Sequence, residues 1–259
     1  MTTPSDLFLE ERRQAIVSLA AAAQRVSVVE LSRHFAVSEV TIRSDLQALA
    51  EQGLLMRTHG GAVILDGAPH DLALASRRQR KVHEKARIGA AAAALVTDGM
   101  AVFLDSSSTS LAIAQQLKER RHLTILTNSL VIAQEMLDTT GVQVVLSGGR
   151  LQQETASLIG TTGLTWLEQY NIQLGFFGAH GISDPEGLTD VSVEQAKVKR
   201  PLVQLCRQVV AVLDASKWGQ VGIASFAALD DIHIIITDGD APPAQVAHLQ
   251  DRGIDVRTT

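Results

Sequence analysis

Apolar residues in "LFLEERRQAIVSLAAAAQ" (7–24) recur at spacings of three, four and seven, so Leu9, Ile16, Leu19, Ala20 and Ala23 share one face of a helix. A second short helix is expected in "SVVELSRHF" (27–35), with Ser27 as N-cap and Val29, Leu31 and Phe35 as its apolar positions. After the break at "AVS", Ser38 caps a third helix that begins "SEVTIRSDL" (38–46). Its Val40, Ile42, Leu46 and Leu49 are expected to point inward, and Gly53 ends it. "LLMRTHGGAVIL" (54–65) reads as two short strands joined at His59-Gly60-Gly61, where glycine supplies the positive φ of a hairpin turn. Three short helices and a β-hairpin within residues 7–65 make the pattern of a winged helix-turn-helix.

The pattern changes after residue 65. "DGAPHD" is loop-like and "SRRQRKVHEKAR" (76–87) is basic, so 66–87 reads as a linker and the start of a basic helix. Its six cations, Arg77, Arg78, Arg80, Lys81, Lys85 and Arg87, stand against Glu84, a local charge of +5. From 88 to 259, aliphatic runs alternate with helix-length segments: "MAVFLD" (100–105), "LTILTN" (123–128), "VQVVLSGG" (142–149), "LGFFGAHG" (174–181), "QVVAVLD" (208–214), "IHIIITD" (232–238) and "IDVRT" (254–258). Such continuous strands, separated by helices, predict a parallel sheet covered on both faces. The expected fold class is therefore α/β, a small winged helix-turn-helix followed by a larger parallel-sheet domain.

At 259 residues the chain has room for both domains, and 46% hydrophobic residues with only 3% aromatics imply an aliphatic core. The lone Cys206, in the apolar stretch "LVQLCRQVV", allows neither an internal disulfide nor a cysteine cluster and reads as a buried hydrophobe. The acidic start "MTTPSDLFLEERRQ" is unlike a secretory leader, and "AAAAALV" (90–96) is too short to span a bilayer. These readings make a cytoplasmic location the expectation, with no membrane partner. A net charge of -5 argues against a polybasic coat but leaves room for a local patch.

Candidate chemistry gathers where strands end, the place where open α/β sheets bind ligands. After "AVFL" come Asp105, Ser106, Ser107, Ser108, Thr109 and Ser110 at a helix start, hydroxyls beside free N–H groups that suit a phosphate. The next strands end Thr127-Asn128-Ser129 and Ser147-Gly148-Gly149-Arg150, and "LDASKWG" (213–219) brings Asp214, Ser216 and Lys217. Ordinary helix capping accounts for any one of these ends; three in succession point to a shared ligand site. In "GLTDVSVEQAKVKR" (187–200), Lys199 is a candidate phosphate partner, whereas Glu194 and Lys197, three apart, also suit a surface ion pair. "GFFGAHG" lacks the dinucleotide spacing, no nucleotide P-loop occurs, and the eight histidines form no metal-binding spacing. Neither cofactor nor metal is expected, and His180 reads as structural.

These residues resemble the DeoR-type (GlpR-like) bacterial transcriptional regulators along essentially the whole chain. The likeness is carried by "ERRQAIVSLA", "VSVVELSRHFAVSEVTIRSDLQALAEQGLLMRTHGGAV", "LDSSSTS", "LTNSLVIA", "LSGGRL", "EGLTD…E…VKR" and "LDASKWG". The resemblance implies a winged-helix DNA-binding domain (7–65) joined to a sugar-phosphate-isomerase-like sensor domain (88–259). Members usually repress genes of carbohydrate or nucleoside use, and a phosphorylated metabolite releases them from DNA. By position, the effector pocket would involve Asp105, Ser106, Ser107, Ser108, Thr109, Thr127, Asn128, Gly148, Gly149, Glu194, Lys199 and Lys217. Three positions depart from the family: Ser107 where glycine is frequent, Ser44 where a second arginine is common, and Pro201 where the helix would start late or kink.

The helix from Ser38 is expected to enter the major groove of a double-stranded operator, with Ser38, Glu39, Thr41 and Arg43 outward and Ser44 offering less grip than arginine. Arg57 and His59 on the wing would touch phosphate or minor groove. An internal ion pair of Arg43 with Asp45 or Glu39 is the competing reading. The N-terminal sixty residues hold Arg12, Arg13, Arg25, Arg33, Arg43 and Arg57 against Asp6, Glu10, Glu11, Glu30, Glu39, Asp45 and Glu51, a net of -1. Affinity would then depend on charge placement and on a homo-oligomer spanning two half-sites. The alternative is a phosphosugar isomerase carrying an appended DNA-binding domain, with Asp105 or Glu194 as base.

Overall fold

The computed structural model describes residues 9–23, 25–51, 55–58, 60–64 and 74–259, in two compact units that divide between residues 72 and 73. Gly53, His59 and the "DGAPHD" segment lie outside the described residues.

The first unit runs α1 (Leu9–Ala23), β1 (Arg25–Ser27), α2 (Val28–Phe35), α3 (Glu39–Glu51), β2 (Leu55–Thr58) and β3 (Gly61–Ile64). The hairpin pairs Leu55 with Ile64 through Thr58 with Gly61. Strand β1, too short to give a periodicity, joins the other side of β3. Ile16, Ala20, Leu31, Phe35, Ile42, Leu46, Leu49 and Leu55 form the core of this unit. Three positions expected on apolar faces are corrected: Val40 is 71% exposed, and Leu9 and Val29 are also exposed. Val40 is two residues from Ile42, about 200° around a helix, so one cannot be buried on the face that buries the other. Ser27 occupies the N-cap of α2, but its side chain makes no capping hydrogen bond. The buried carboxylate of Asp45 clamps α3 to α1 by accepting from Arg12 at 2.7 Å and Arg13 at 3.0 Å.

In the second unit, the expected linker and basic helix start resolve into α4 (Leu74–Gln79) and α5 (Val82–Ala93). Lys85, one charge of the basic run, is buried, its ammonium donating to the carbonyls of Arg77 at 2.6 Å and Arg80 at 2.5 Å. These acceptors satisfy its charge at the end of α4 while its stem packs inward. Next come β4 (Ala101–Leu104), α6 (Ser108–Gln116), β5 (Leu123–Thr127), α7 (Leu130–Glu135), β6 (Val142–Leu146) and a hairpin of β7 (Arg150–Gln152) and β8 (Ser157–Ile159). The chain continues through β9 (Ile172–Phe177), β10 (Gly181–Ser183), β11 (Gly187–Asp190), α8 (Val193–Leu205), β12 (Cys206–Val212), β13 (Ala224–Ala227), β14 (Ile234–Thr237), α9 (Pro243–Asp251) and β15 (Asp255–Thr258).

Seven of these strands form one sheet in the order β15-β14-β12-β9-β4-β5-β6, every neighbouring pair parallel. Its faces bury separate cores, Phe103 and Phe177 with α8 on one side, Val102 and Leu104 with α5 and α6 on the other. From β4 the chain steps outward to β5 and β6, then returns to β9 on the opposite side of β4. The crevice between β4 and β9 is thus the switch point at which open parallel sheets take ligands. β10, β11 and β13 form a separate antiparallel sheet. Pro201 lies inside α8, which nevertheless begins at Val193, so the late start does not occur.

Candidate functional site

Asp105, directly after β4, is fully buried and accepts four hydrogen bonds. One carboxylate oxygen takes the Ser107 N–H at 3.1 Å and the Ser110 hydroxyl at 2.6 Å. The other takes the Gly178 N–H at 3.0 Å, across the switch point, and the Lys199 ammonium at 3.0 Å. Lys199, 5% exposed, also donates to the Gly178 carbonyl at 2.8 Å and to Asp190 at 3.0 Å. Burial alone would lower its pKa, but the carboxylates of Asp105 and Asp190 outweigh burial and raise it above the ordinary lysine value. The ammonium therefore stays charged and holds the ends of β4, β9 and β11 together. Gly178 must be small: a Cβ there would stand 2.5 Å from that of Ser107.

The hydroxyl loop divides into two kinds of group. Ser107 caps α6, accepting the Ser110 N–H at 3.0 Å, and Ser106 donates to Gln195 at 3.5 Å. Ser108 and Thr109 are buried in the first turn of α6. Thr127 has an internal role, donating to the Leu104 carbonyl at 2.7 Å and accepting the Ser129 N–H at 3.0 Å. Asn128 donates through its amide nitrogen to the Leu158 carbonyl at 3.3 Å, which orients the group, and its buried carbonyl oxygen is left without a hydrogen-bond partner. Gly148 and Gly149 both take positive φ, and at Gly149 a side chain would strike the Ile159 backbone, so they route the chain into β7. Lys217 is half-buried on a single 3-10 turn, while Glu194 is exposed on the first turn of α8 and accepts from the Ser192 hydroxyl at 3.3 Å.

On α3 the predicted outward set is regrouped. The Ser38 hydroxyl accepts the Thr41 N–H at 3.1 Å and lies 2.8 Å from the Thr41 hydroxyl, so both belong to the helix cap. Arg43 pairs with Glu39 at 2.6 Å, the competing reading made for it, while Asp45 binds α1 instead. Arg57, on β2, donates to the Arg43 carbonyl at 2.9 Å and ties the wing to α3. Among the described side chains, the exposed row along α3 is Val40, Arg43, Ser44 and Gln47.

Residues 12–68 match the DeoR-like helix-turn-helix domain, and residues 80–239 match the DeoR C terminal sensor domain. The HTH-type transcriptional regulator GolR of Listeria innocua is 36% identical over 97% of this chain and 99% of its own. The glycerol-3-phosphate regulon repressor of Escherichia coli K12 is 30% identical over 95% and 97%. The chain belongs to the DeoR family. It is a DNA-binding transcriptional regulator with a C-terminal sensor domain. Among solved structures, ribose 5-phosphate isomerase A of Methanocaldococcus jannaschii aligns with 52% of this chain and 53% of its own, with a TM-score of 0.39 and 17% identity. Among the described residues, no helix is long and apolar enough to cross a membrane.

In this DeoR-family chain, sequence reasoning passed over two central residues. Asp190 lies in a four-residue strand too short to announce itself, and the nine positions separating it from Lys199 match no helical repeat. Gln195 was overshadowed by its charged neighbour Glu194. Its buried amide donates to Gln152 at 2.7 Å, Thr155 at 3.1 Å and Ser157 at 2.8 Å, so it joins α8 to the β7–β8 hairpin as well as to Ser106. The same hairpin bonds Asn128 through Leu158, and its Glu154 carbonyl accepts the first N–H of α4, that of Leu74, at 2.9 Å. Cys206 is half-buried; burial pushes its thiol up to about 12, so it stays protonated and behaves as a hydrophobe.

Proposed function

We propose that this regulator represses genes of carbohydrate or nucleoside metabolism, holds its operator as a homo-oligomer in the cytoplasm, and is released by a phosphorylated sugar-type effector. The observation that carries this reading is the buried carbonyl oxygen of Asn128, unpartnered at the end of β5, the strand next to β4. Buried polar atoms are nearly always paired, so a ligand hydroxyl is the natural donor for this one. The start of α6 supplies the positive end of a helix for the phosphate of the same ligand. We assign the Ser106–Thr109 loop, Asn128, Gly148, Gly149 and Lys217 to ligand contact. Asp105, Asp190 and Lys199 brace them, and Glu194 is assigned to the surface. The relative named for the glycerol-3-phosphate regulon supports the same effector class.

Binding without turnover fits the crevice better than isomerisation. A general base needs an open lone pair within reach of the substrate, and the Asp105 carboxylate already accepts from four donors. The test is fluorescence anisotropy of the full chain on DNA selected from a random pool, titrated with a panel of phosphorylated and unphosphorylated sugars. A phosphorylated compound is expected to release the DNA while its dephosphorylated form does not. A panel without effect on DNA affinity would remove the effector assignment, and isomerisation of any panel member would favour the enzyme reading.

A further inference from the structure

The solvent face of α3 carries one apolar side chain in a row of polar ones. Val40, Arg43, Ser44 and Gln47 lie three, four and seven positions apart, opposite the buried Ile42, Leu46 and Leu49. An exposed valine alone means little, since much of any protein surface is apolar. Its position is what gives it meaning. A β-branched residue in an exposed helical turn lowers helix propensity and gains no packing in return. The hydroxyls of Ser38 and Thr41 are engaged with each other at the cap, and Glu39 is paired with Arg43. Val40 is thus the projecting group nearest the start of the helix, the part that commonly reaches base edges in a helix-turn-helix.

In the major groove, the one apolar feature on a base edge is the 5-methyl group of thymine. We propose that Val40 reads a thymine methyl in each operator half-site, and that α3 presents Val40, Arg43, Ser44 and Gln47 to the bases. This rests on the reading of α3 as the helix that enters the groove. It replaces Ser38 and Thr41 as base-contacting residues and gives the helix an apolar specificity element.

The experiment uses the full chain and binding sites enriched from random double-stranded DNA. Each thymine of the enriched half-site is replaced by deoxyuridine, which removes only the methyl group. With the native chain, one such position is expected to weaken binding by about four-fold per half-site, the effect of burying one methyl-sized group. In Val40→Ala the same replacement is expected to change affinity by less than about two-fold, because the partner surface is gone. Alanine is the stronger helix former, so this exposed substitution leaves the fold intact. If every uracil substitution is silent in the native chain, or the loss persists unchanged in Val40→Ala, the assignment of Val40 is overturned while DNA reading by α3 stands. Failure to enrich any sequence would overturn both.

Discussion

Lys199 balances two buried carboxylates with one ammonium, which also lies over the Phe226 ring, 4.8 Å from its centroid. Removing it would leave Asp105 and Asp190 buried without a counter-charge. Lys199→Met is therefore expected to cost about 3–5 kcal/mol of stability, as for other broken buried pairs. Urea denaturation would measure it, and Asp190→Asn added to Lys199→Met should restore part of the loss. Lys85 is the opposite case. Burial first, then the nearby Lys217, Arg77 and Arg80, lower its pKa to about 8 against the opposing pull of Asp214. Because its folded pKa lies below the ordinary 10.5, the folded chain binds fewer protons between those values. This group thus makes the folded state more stable as pH rises from about 8 toward 10.5, and NMR of the lysine Cε signals should show one lysine titrating near 8. The sequence marked Lys199 as a cation at a site and Lys85 as one charge in a basic run. Nothing in residue type separates a lysine that finds two aspartates from one that finds two carbonyls; only the fold brings the partners.

The aliphatic runs of the parallel sheet and the three N-terminal helices were legible from their runs and repeats. β1, the β7–β8 hairpin and the β10–β11–β13 sheet were not foreseen: their strands carry only one or two large apolar residues each and form no aliphatic run. The phase of α3 is legible for Ile42, Leu46 and Leu49 but not for Val40, whose apolar side chain stands on the exposed face. The unforeseen hairpin has its own consequence. It touches the Asn128 end of β5, is held by Gln195, and anchors α4, the first described element after the segment that leads from the winged-helix unit. Gln195→Leu would leave Gln152, Thr155 and Ser157 short of a donor, a cost of about 1–3 kcal/mol borne by the hairpin. The expected result is DNA affinity unchanged without effector but an effector concentration for half-release raised at least about ten-fold, near the low end of ordinary coupling energies. Anisotropy titrations read both quantities. Equal effector response in the variant and native chains would show that the hairpin carries no coupling.

At the scale of the whole molecule, an acidic chain that binds DNA must place its few cations well. Arg12 and Arg13 are held by Asp45, and Arg43 is paired with Glu39, so the cations of the winged helix left for phosphate are Arg25, Arg33 and Arg57. Two such units on paired half-sites would neutralise about six phosphates, and each released counterion steepens the salt dependence by about 0.9 in log affinity against log salt. The expected slope is therefore about -5. The segment 76–87 offers further exposed cations at Arg78, Arg80 and Arg87. Were these on the DNA too, the slope would approach about -11, a difference easily measured between low and physiological salt. The shallower value is expected, because Lys81 already pairs with Glu84 and Lys85 closes α4, marking the segment as part of the sensor unit. Reversing Arg78 and Arg87 to glutamate should accordingly leave the slope unchanged, whereas Arg33→Ala should reduce it by nearly two per pair of protomers, about 0.9 for each lost contact.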